Sequence, residues 1–161
     1  MTKNVLGIVG GGQLGMFICN AAKKIGVKTI VFSNAEEFSA KNFCDDFFIG
    51  SFNDKAKIQK FVNSAELFTI ETENIPKEFC QTIEHKKKLF PSSKIIEITQ
   101  NRLKEKNFLN NLNTIKTAKY FEINNFSDLV TSAKKLNHQC ILKTQEFGYD
   151  GKGQFQINKT N

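Results

Sequence analysis

The chain has 161 residues, 40% of them hydrophobic and 24% charged, a mean hydropathy of −0.35 and a net charge of +7. That length suits one domain or one and a fraction, and the composition is that of a soluble globular chain with enough apolar mass for a core. No apolar run approaches the ~18–20 residues of a membrane span, and no signal-peptide pattern opens the chain, so secretion and membrane insertion are not expected.

The excess of positive charge invites a nucleic-acid reading, but 22 of the 23 basic residues are lysine and the single arginine is Arg102. Phosphate-backbone grips favour guanidinium forks, and these lysines are scattered, with only Lys86-Lys87-Lys88 in a run, so a solvated surface is expected and no nucleic-acid partner. Cys19, Cys44, Cys80 and Cys140 form no CxxC pair, and His85 and His138 complete no zinc-ligand spacing. They are expected as small buried hydrophobes in a reducing compartment, without a metal site or a nucleophilic triad.

The first predicted element is a buried strand over Asn4–Val9, running into Gly10-Gly11-Gly12-Gln13-Leu14-Gly15. A helix follows over Met16–Lys24, stopping near Gly26, and Val27–Phe32 is the next strand. This is a β-loop-α-β unit with GxGxxG at its turn, where helix amides can hold an anion. A dinucleotide site also wants an acid at the end of the second strand. That end is Phe32-Ser33-Asn34, with Glu36 and Glu37 later, which opposes NAD. The glycines could also serve only to pack strand against helix.

Alternation continues with a strand at Asp46–Ile49, a helix capped by Asn53 or Asp54 through about Ala65, and a strand at Leu67–Ile70. Glu71-Thr72-Glu73-Asn74-Ile75-Pro76 closes that strand, Pro76 suits the first turn of a helix towards His85, and Leu89-Phe90 is a final short strand. Regular βα alternation predicts a parallel, doubly wound sheet with ligands at the carboxyl ends of its strands. Gly10–Gly15 and Glu71–Asn74 both fall at such ends. Glu71 and Glu73 are read evenly as pocket residues or as solvated loop acids.

A domain boundary is placed near 91–95, giving domains 1–94 and 95–161. Beyond it come a helical stretch after Ser92-Ser93, helical spacing through Gln100–Leu112, and a strand at Thr117–Ile123. Next are a helix capped by Asn125 or Ser127 to about Leu136, a strand at Cys140–Thr144 and one starting at Phe155. Between those last strands lies Gly148-Tyr149-Asp150-Gly151-Lys152-Gly153-Gln154. Eight of the ten glycines sit in this cluster and in a first one of Gly7, Gly10, Gly11, Gly12 and Gly15, with none between Gly50 and Gly148. A strand bearing Lys143, then three glycines and Lys152, suits a hairpin lid over phosphates, with amides cradling oxygens and lysines supplying charge. It is not a P-loop, since the motif differs and no helix follows. An ordinary hairpin turn, favoured by Asp150-Gly151, is the plainer alternative.

The segments Gly10–Gly15, Glu71–Pro76, Gln100–Lys106 and Gly148–Gln154 occur in the order found in the N5-carboxyaminoimidazole ribonucleotide synthetases, ATP-grasp carboxylases of purine (IMP) biosynthesis, and the chain resembles that family over essentially its whole length. The resemblance implies a Rossmann-like pre-ATP-grasp domain on the substrate side, then the truncated start of an α+β ATP-grasp domain. It implies a cytoplasmic ligase that couples ATP and bicarbonate to carboxylation of 5-aminoimidazole ribonucleotide through carboxyphosphate, releasing ADP and phosphate. By the same resemblance Arg102, Lys143, Gly148, Tyr149, Asp150, Gly151, Lys152, Gly153 and Gln154 hold ATP, with Lys143 on its phosphates. Gln13, Leu14 and Glu73 hold the substrate's phosphoribosyl part, and a homodimer is implied. Catalytic residues and the Mg2+ ligands are expected in a C-terminal half that this chain lacks, leaving it weak or inactive by itself. The family commonly has arginine where this chain has Met16, which removes an anion contact. A non-catalytic nucleotide-binding or interaction remnant, or an NAD-binding module, are the other classes.

Overall fold

A computed structural model describes residues 4–148 and 151–159 of the chain. Contacts divide it into two compact units, Met1–Glu97 and Ile98–Asn161.

In the first unit β1 (Val5–Val9), β2 (Lys28–Ser33), β3 (Asp46–Ile49), β4 (Leu67–Ile70) and β5 (Lys88–Phe90) form one sheet in the order β3-β2-β1-β4-β5. Every pair is parallel, with Ile8 opposite Val31 on one side and Thr69 on the other. Parallel strands need crossovers, supplied here by α1 (Gln13–Lys24), α2 (Lys55–Ser64) and α3 (Lys77–Glu84). α2 starts at Asp54, whose carboxylate accepts from the Lys57 amide, and α3 starts at Pro76. The expected doubly wound sheet is therefore present.

Both faces of the sheet are covered, and the strand period of two sorts the residues between them. Ile8 and Val31 pack with Cys19 and Ala40 on the α1 side. Their neighbours Val9 and Phe32 join Phe61, Val62, Phe68, Phe79 and Ile83 on the side of α2 and α3. Phe32 anchors that larger core, with ring centroids 5.2 Å from Phe79 and 5.3 Å from Phe61. Strand order reverses at β1: β2 lies to one side and β4 to the other. The carboxyl ends of β1 and β4 thus border the crevice where such sheets bind ligands.

The second unit begins within α4 (Ser93–Thr99) and continues with α5 (Arg102–Asn111), α6 (Phe126–Lys135) and an antiparallel pair, β6 (Cys140–Lys143) and β7 (Gln154–Ile157). The predicted strand at Thr117–Ile123 is absent. Side chains of α5 claim that segment instead. Asn110 receives the Thr117 amide at 3.2 Å and donates to its hydroxyl at 3.0 Å, while the Tyr120 hydroxyl donates to Asn107 at 2.6 Å. α1 also starts three residues before the expected Met16, so Gly15 lies inside the helix. A Cβ there would stand 2.9 Å from the Gly10 carbonyl, a separation real side chains do not tolerate, so the third glycine of the motif allows the helix to sit against its own turn.

Candidate functional site

Two sites are built, one in each unit. The first is the turn between β1 and α1. Gly10 takes φ +101°, a conformation costly for any residue with a Cβ, and its amide donates to the Phe32 carbonyl at 2.9 Å. α1 has no side-chain cap at Gly12 and no acid in its first turn. The acid comes from the far side of the reversal. Glu71 extends β4, its amide donating to the Val9 carbonyl at 2.9 Å, and its carboxylate accepts from the Gly12 amide at 3.3 Å. Added Cβ atoms at Gly10 and Gly12 would both meet that carboxylate, so the turn is shaped around it. The positive end of the helix is thereby matched by a charge from within the protein.

This arrangement bears directly on the dinucleotide alternative. A pyrophosphate on these amides would meet the Glu71 carboxylate. The ribose-binding acid is also missing: β2 ends in Ser33, whose hydroxyl closes on the Ala35 backbone at 3.1 Å, and Glu37 pairs with Lys41 at 2.7 Å. Of the residues expected to hold the phosphoribosyl part, Gln13 and Leu14 occupy the exposed first turn of α1, and Glu73 is exposed in the loop after β4. The carboxylate touching the turn belongs to Glu71, which the sequence weighed beside Glu73 without choosing it. Its signal is register: it is the next residue of a strand whose neighbour ends at the glycine turn.

The second site is the β6–β7 hairpin. Lys143 and Gln154 are cross-strand partners at its base, and the Thr144 amide donates to the Gly153 carbonyl at 2.8 Å. Gly151 and Gly153 take φ +79° and +66°. A Cβ at Gly153 would run into Thr144 Oγ1, so the loop is tight as well as turned. Arg102, at the start of α5, reaches the same loop: its amide donates to the Gln145 carbonyl at 2.9 Å and Nη2 to the Gly148 carbonyl at 3.4 Å. Arg102, Lys143, Gly148, Gly153 and Gln154 are therefore gathered around one loop, with Gly151 and Lys152 exposed on it. Tyr149 and Asp150, also expected to hold ATP, lie outside the described residues. Exposed cations beside a glycine-rich turn can meet a polyphosphate.

Burial pushes the Cys80 and Cys44 thiols up to about 11 and raises that of Cys19, which keeps them protonated and unreactive at neutral pH. Among the described residues no three His, Cys, Asp or Glu side chains converge as a metal site would require. No helix among them is long and apolar enough to cross a membrane.

Comparison with known proteins follows the same division. The family model of the ribonucleotide synthetase preATP-grasp domain matches residues 1–100, and that of the ATP-grasp domain matches 107–161. The chain is 32% identical to a bifunctional purine synthesis protein of Dictyostelium discoideum, covering 96% of this chain and 15% of that one. It is 29% identical to an N5-carboxyaminoimidazole ribonucleotide synthase of Brucella melitensis, covering 96% of this chain and 42% of the relative. Among solved structures, an ADP complex of an N5-carboxyaminoimidazole ribonucleotide synthetase superposes with TM-score 0.90 at 32% identity, over 99% of this chain and 43% of that one. The Staphylococcus aureus enzyme with ADP also gives TM-score 0.90, at 29% identity, over 97% of this chain and 42% of that one. The chain thus spans about two fifths of the length of these synthetases. A five-stranded parallel sheet reversing at β1, a glycine turn closed by Glu71, and the matched residues 1–100 lead to one assignment: the chain belongs to the ribonucleotide synthetase preATP-grasp family.

Proposed function

We propose that the chain serves ATP- and bicarbonate-dependent carboxylation of 5-aminoimidazole ribonucleotide to N5-carboxyaminoimidazole ribonucleotide, with release of ADP and phosphate, in cytoplasmic purine biosynthesis. On this reading residues 1–94 hold the ribonucleotide and residues 95–161 hold ATP, and the working enzyme is a homodimer. The observation that carries it is the second site: the Arg102 guanidinium and the Lys143 strand end meet one glycine-rich hairpin. Likeness to two synthetases solved with ADP supports the choice of nucleotide.

The division of labour follows from charge. Transfer of a phosphoryl group to bicarbonate concentrates negative charge on the transferred oxygens, and fixed cations with amide donors lower that barrier. Lys143 and Lys152 supply charge, Arg102 orients the hairpin and faces the nucleotide, and the amides of the Gly148–Gln154 loop cradle phosphate oxygens. In the first unit Gln13, Leu14 and Glu73 hold the phosphoribosyl part at the mouth of the glycine turn. Mg2+ belongs to the chemistry of this family, and the described residues offer no converging carboxylate set to hold it.

Calorimetric titration of the chain with ATP, NAD and 5-aminoimidazole ribonucleotide tests the reading. ATP should bind, and Lys143→Ala should weaken it about tenfold, as loss of a charged contact worth ~1.4 kcal/mol does. NAD binding without ATP binding would overturn the proposal.

A further inference from the structure

Asn101 stands immediately before Arg102, yet its side chain has two tasks. Its Oδ1 caps α5, accepting from the Leu103 amide at 3.1 Å and the Lys104 amide at 3.0 Å. Its Nδ2 faces the other way and donates to Glu146 Oε1 at 2.9 Å, with Gln145 Oε1 at 3.5 Å. The neighbouring backbone adds the bond from the Arg102 amide to the Gln145 carbonyl, and the guanidinium adds that to the Gly148 carbonyl. Residues 101 and 102 therefore grip 145, 146 and 148, which are the entry to the glycine loop.

Between those grips lies Phe147, which takes φ +59° and is 74% exposed. A bulky residue in the left-handed region is strained and persists only where its surroundings hold it. Phe147 is largely in solvent, so burial does little to hold it. What brackets it is a side-chain bond to Glu146 on one side and a guanidinium bond to Gly148 on the other.

We propose that Asn101 is a positioning residue for nucleotide binding: by holding Glu146 it fixes the entry of the glycine loop on its strained path, so that this entry is ordered before the nucleotide arrives. The proposal rests on the reading of this hairpin as the ATP loop. An ordered loop loses less entropy when ligand arrives, so the latch raises affinity without touching the ligand.

Cap and latch can be separated, because aspartate caps a helix as well as asparagine does. Asn101→Asp keeps the acceptor for α5 but replaces the donor with a carboxylate facing Glu146. Adding Glu146→Gln to that variant restores the bond with reversed polarity, the new amide donating to the carboxylate introduced at position 101. Two readouts on the whole chain decide: hydrogen exchange of the 144–148 segment without nucleotide, and calorimetric ATP affinity. Asn101→Asp should speed exchange and weaken ATP binding, each about fivefold, the scale of one lost hydrogen bond, with helix content unchanged. The double variant should return both to within about twofold of wild type. Unchanged exchange in Asn101→Asp, or a double variant no better than the single one, overturns the latch. Faster exchange with unaltered ATP affinity overturns its role in binding. If the wild-type chain binds no ATP, it is the nucleotide reading that fails, and the exchange arm still decides whether the latch exists.

Discussion

A single carboxylate decides what the glycine turn of the first unit can be. Glycine turns that precede a helix take anions because their amides are unpaired and the helix end is positive. Here Glu71 fills that role from across the strand reversal, accepting from the Gly12 amide, and no residue of α1 itself could replace it. Glu71→Ala should therefore cost about 1–2 kcal/mol, comparable to loss of a helix cap, and Glu71→Gln about half of that because the amide oxygen can still accept. Urea denaturation of the three proteins measures it. Equal stability of Glu71→Ala and wild type would show that the carboxylate does not hold the turn. The residue pattern displays both Glu71 and Glu73 and reads them evenly, and the family resemblance points to Glu73 rather than Glu71. Two acids two apart in a strand extension share a side, and only the end of the strand makes their surroundings differ. That end is set by pairing with β1, whose last residue, Val9, is the partner of Ile70 and lies far from it in sequence.

At the scale of elements, local pattern and long-range pairing separate cleanly. The five strands and three crossover helices of the first unit announce themselves through apolar runs, Asp54 and Pro76, since those signals are local. The false strand at Thr117–Ile123 carries the same β-forming residues, but a strand exists only with a partner; this segment pairs with none of the described strands, and Asn110 and Asn107 of α5 instead bond the Thr117 amide and hydroxyl and the Tyr120 hydroxyl. Hairpin residues of the second site were legible because Lys143, three glycines and Gln154 lie within twelve positions, whereas the grip of Asn101 on Glu146 spans 45 residues and left no trace. Strand packing also shows why one glycine is fixed by space. Gly7 faces the ring of Phe68 on the adjacent strand, and a Cβ there would overlap that ring. Gly7→Ala should cost about 1–3 kcal/mol through overpacking. Combined with Phe68→Leu, it should be less damaging than the sum of the two single changes by about 1 kcal/mol, because the smaller side chain vacates the volume. Additive losses in thermal or urea unfolding would mean the two residues are not coupled.

For the whole molecule the conspicuous quantity is charge. With lysine as nearly all of the basic complement, the +7 is spread over the surface, and the ion pairs it makes, such as Lys87 with Glu66 at 2.6 Å, have exposed partners of small energetic value. Charge becomes important to stability at alkaline pH, and the cause is burial. Cys80, fully enclosed on α3, has its thiol pushed from the ordinary 9.0 up to about 11, chiefly by desolvation and then by Glu84. Cys44 rises to about 11 through desolvation and the nearby Cys19. In the unfolded chain these thiols ionise near 9, while in the folded chain they keep their protons, so between those values the folded state binds more protons and stability falls as pH rises. The contribution is whole below pH 9 and is lost by pH 11. For Cys80 it amounts to on the order of 2 kcal/mol. Lys77 adds in the same direction, since its bond to Glu97 raises its pKa above 10.5 and weakens as it deprotonates. All of these groups lie in the Met1–Glu97 unit, so that unit should carry the alkaline loss. Thermal unfolding followed from about pH 8 to about pH 10.5 should show a falling midpoint. Cys80→Ala, less stable throughout because it leaves a small cavity, should fall less steeply over the same range, because the group that titrates is gone. Parallel slopes for the two proteins would assign the alkaline loss to other groups and remove buried thiols as its cause.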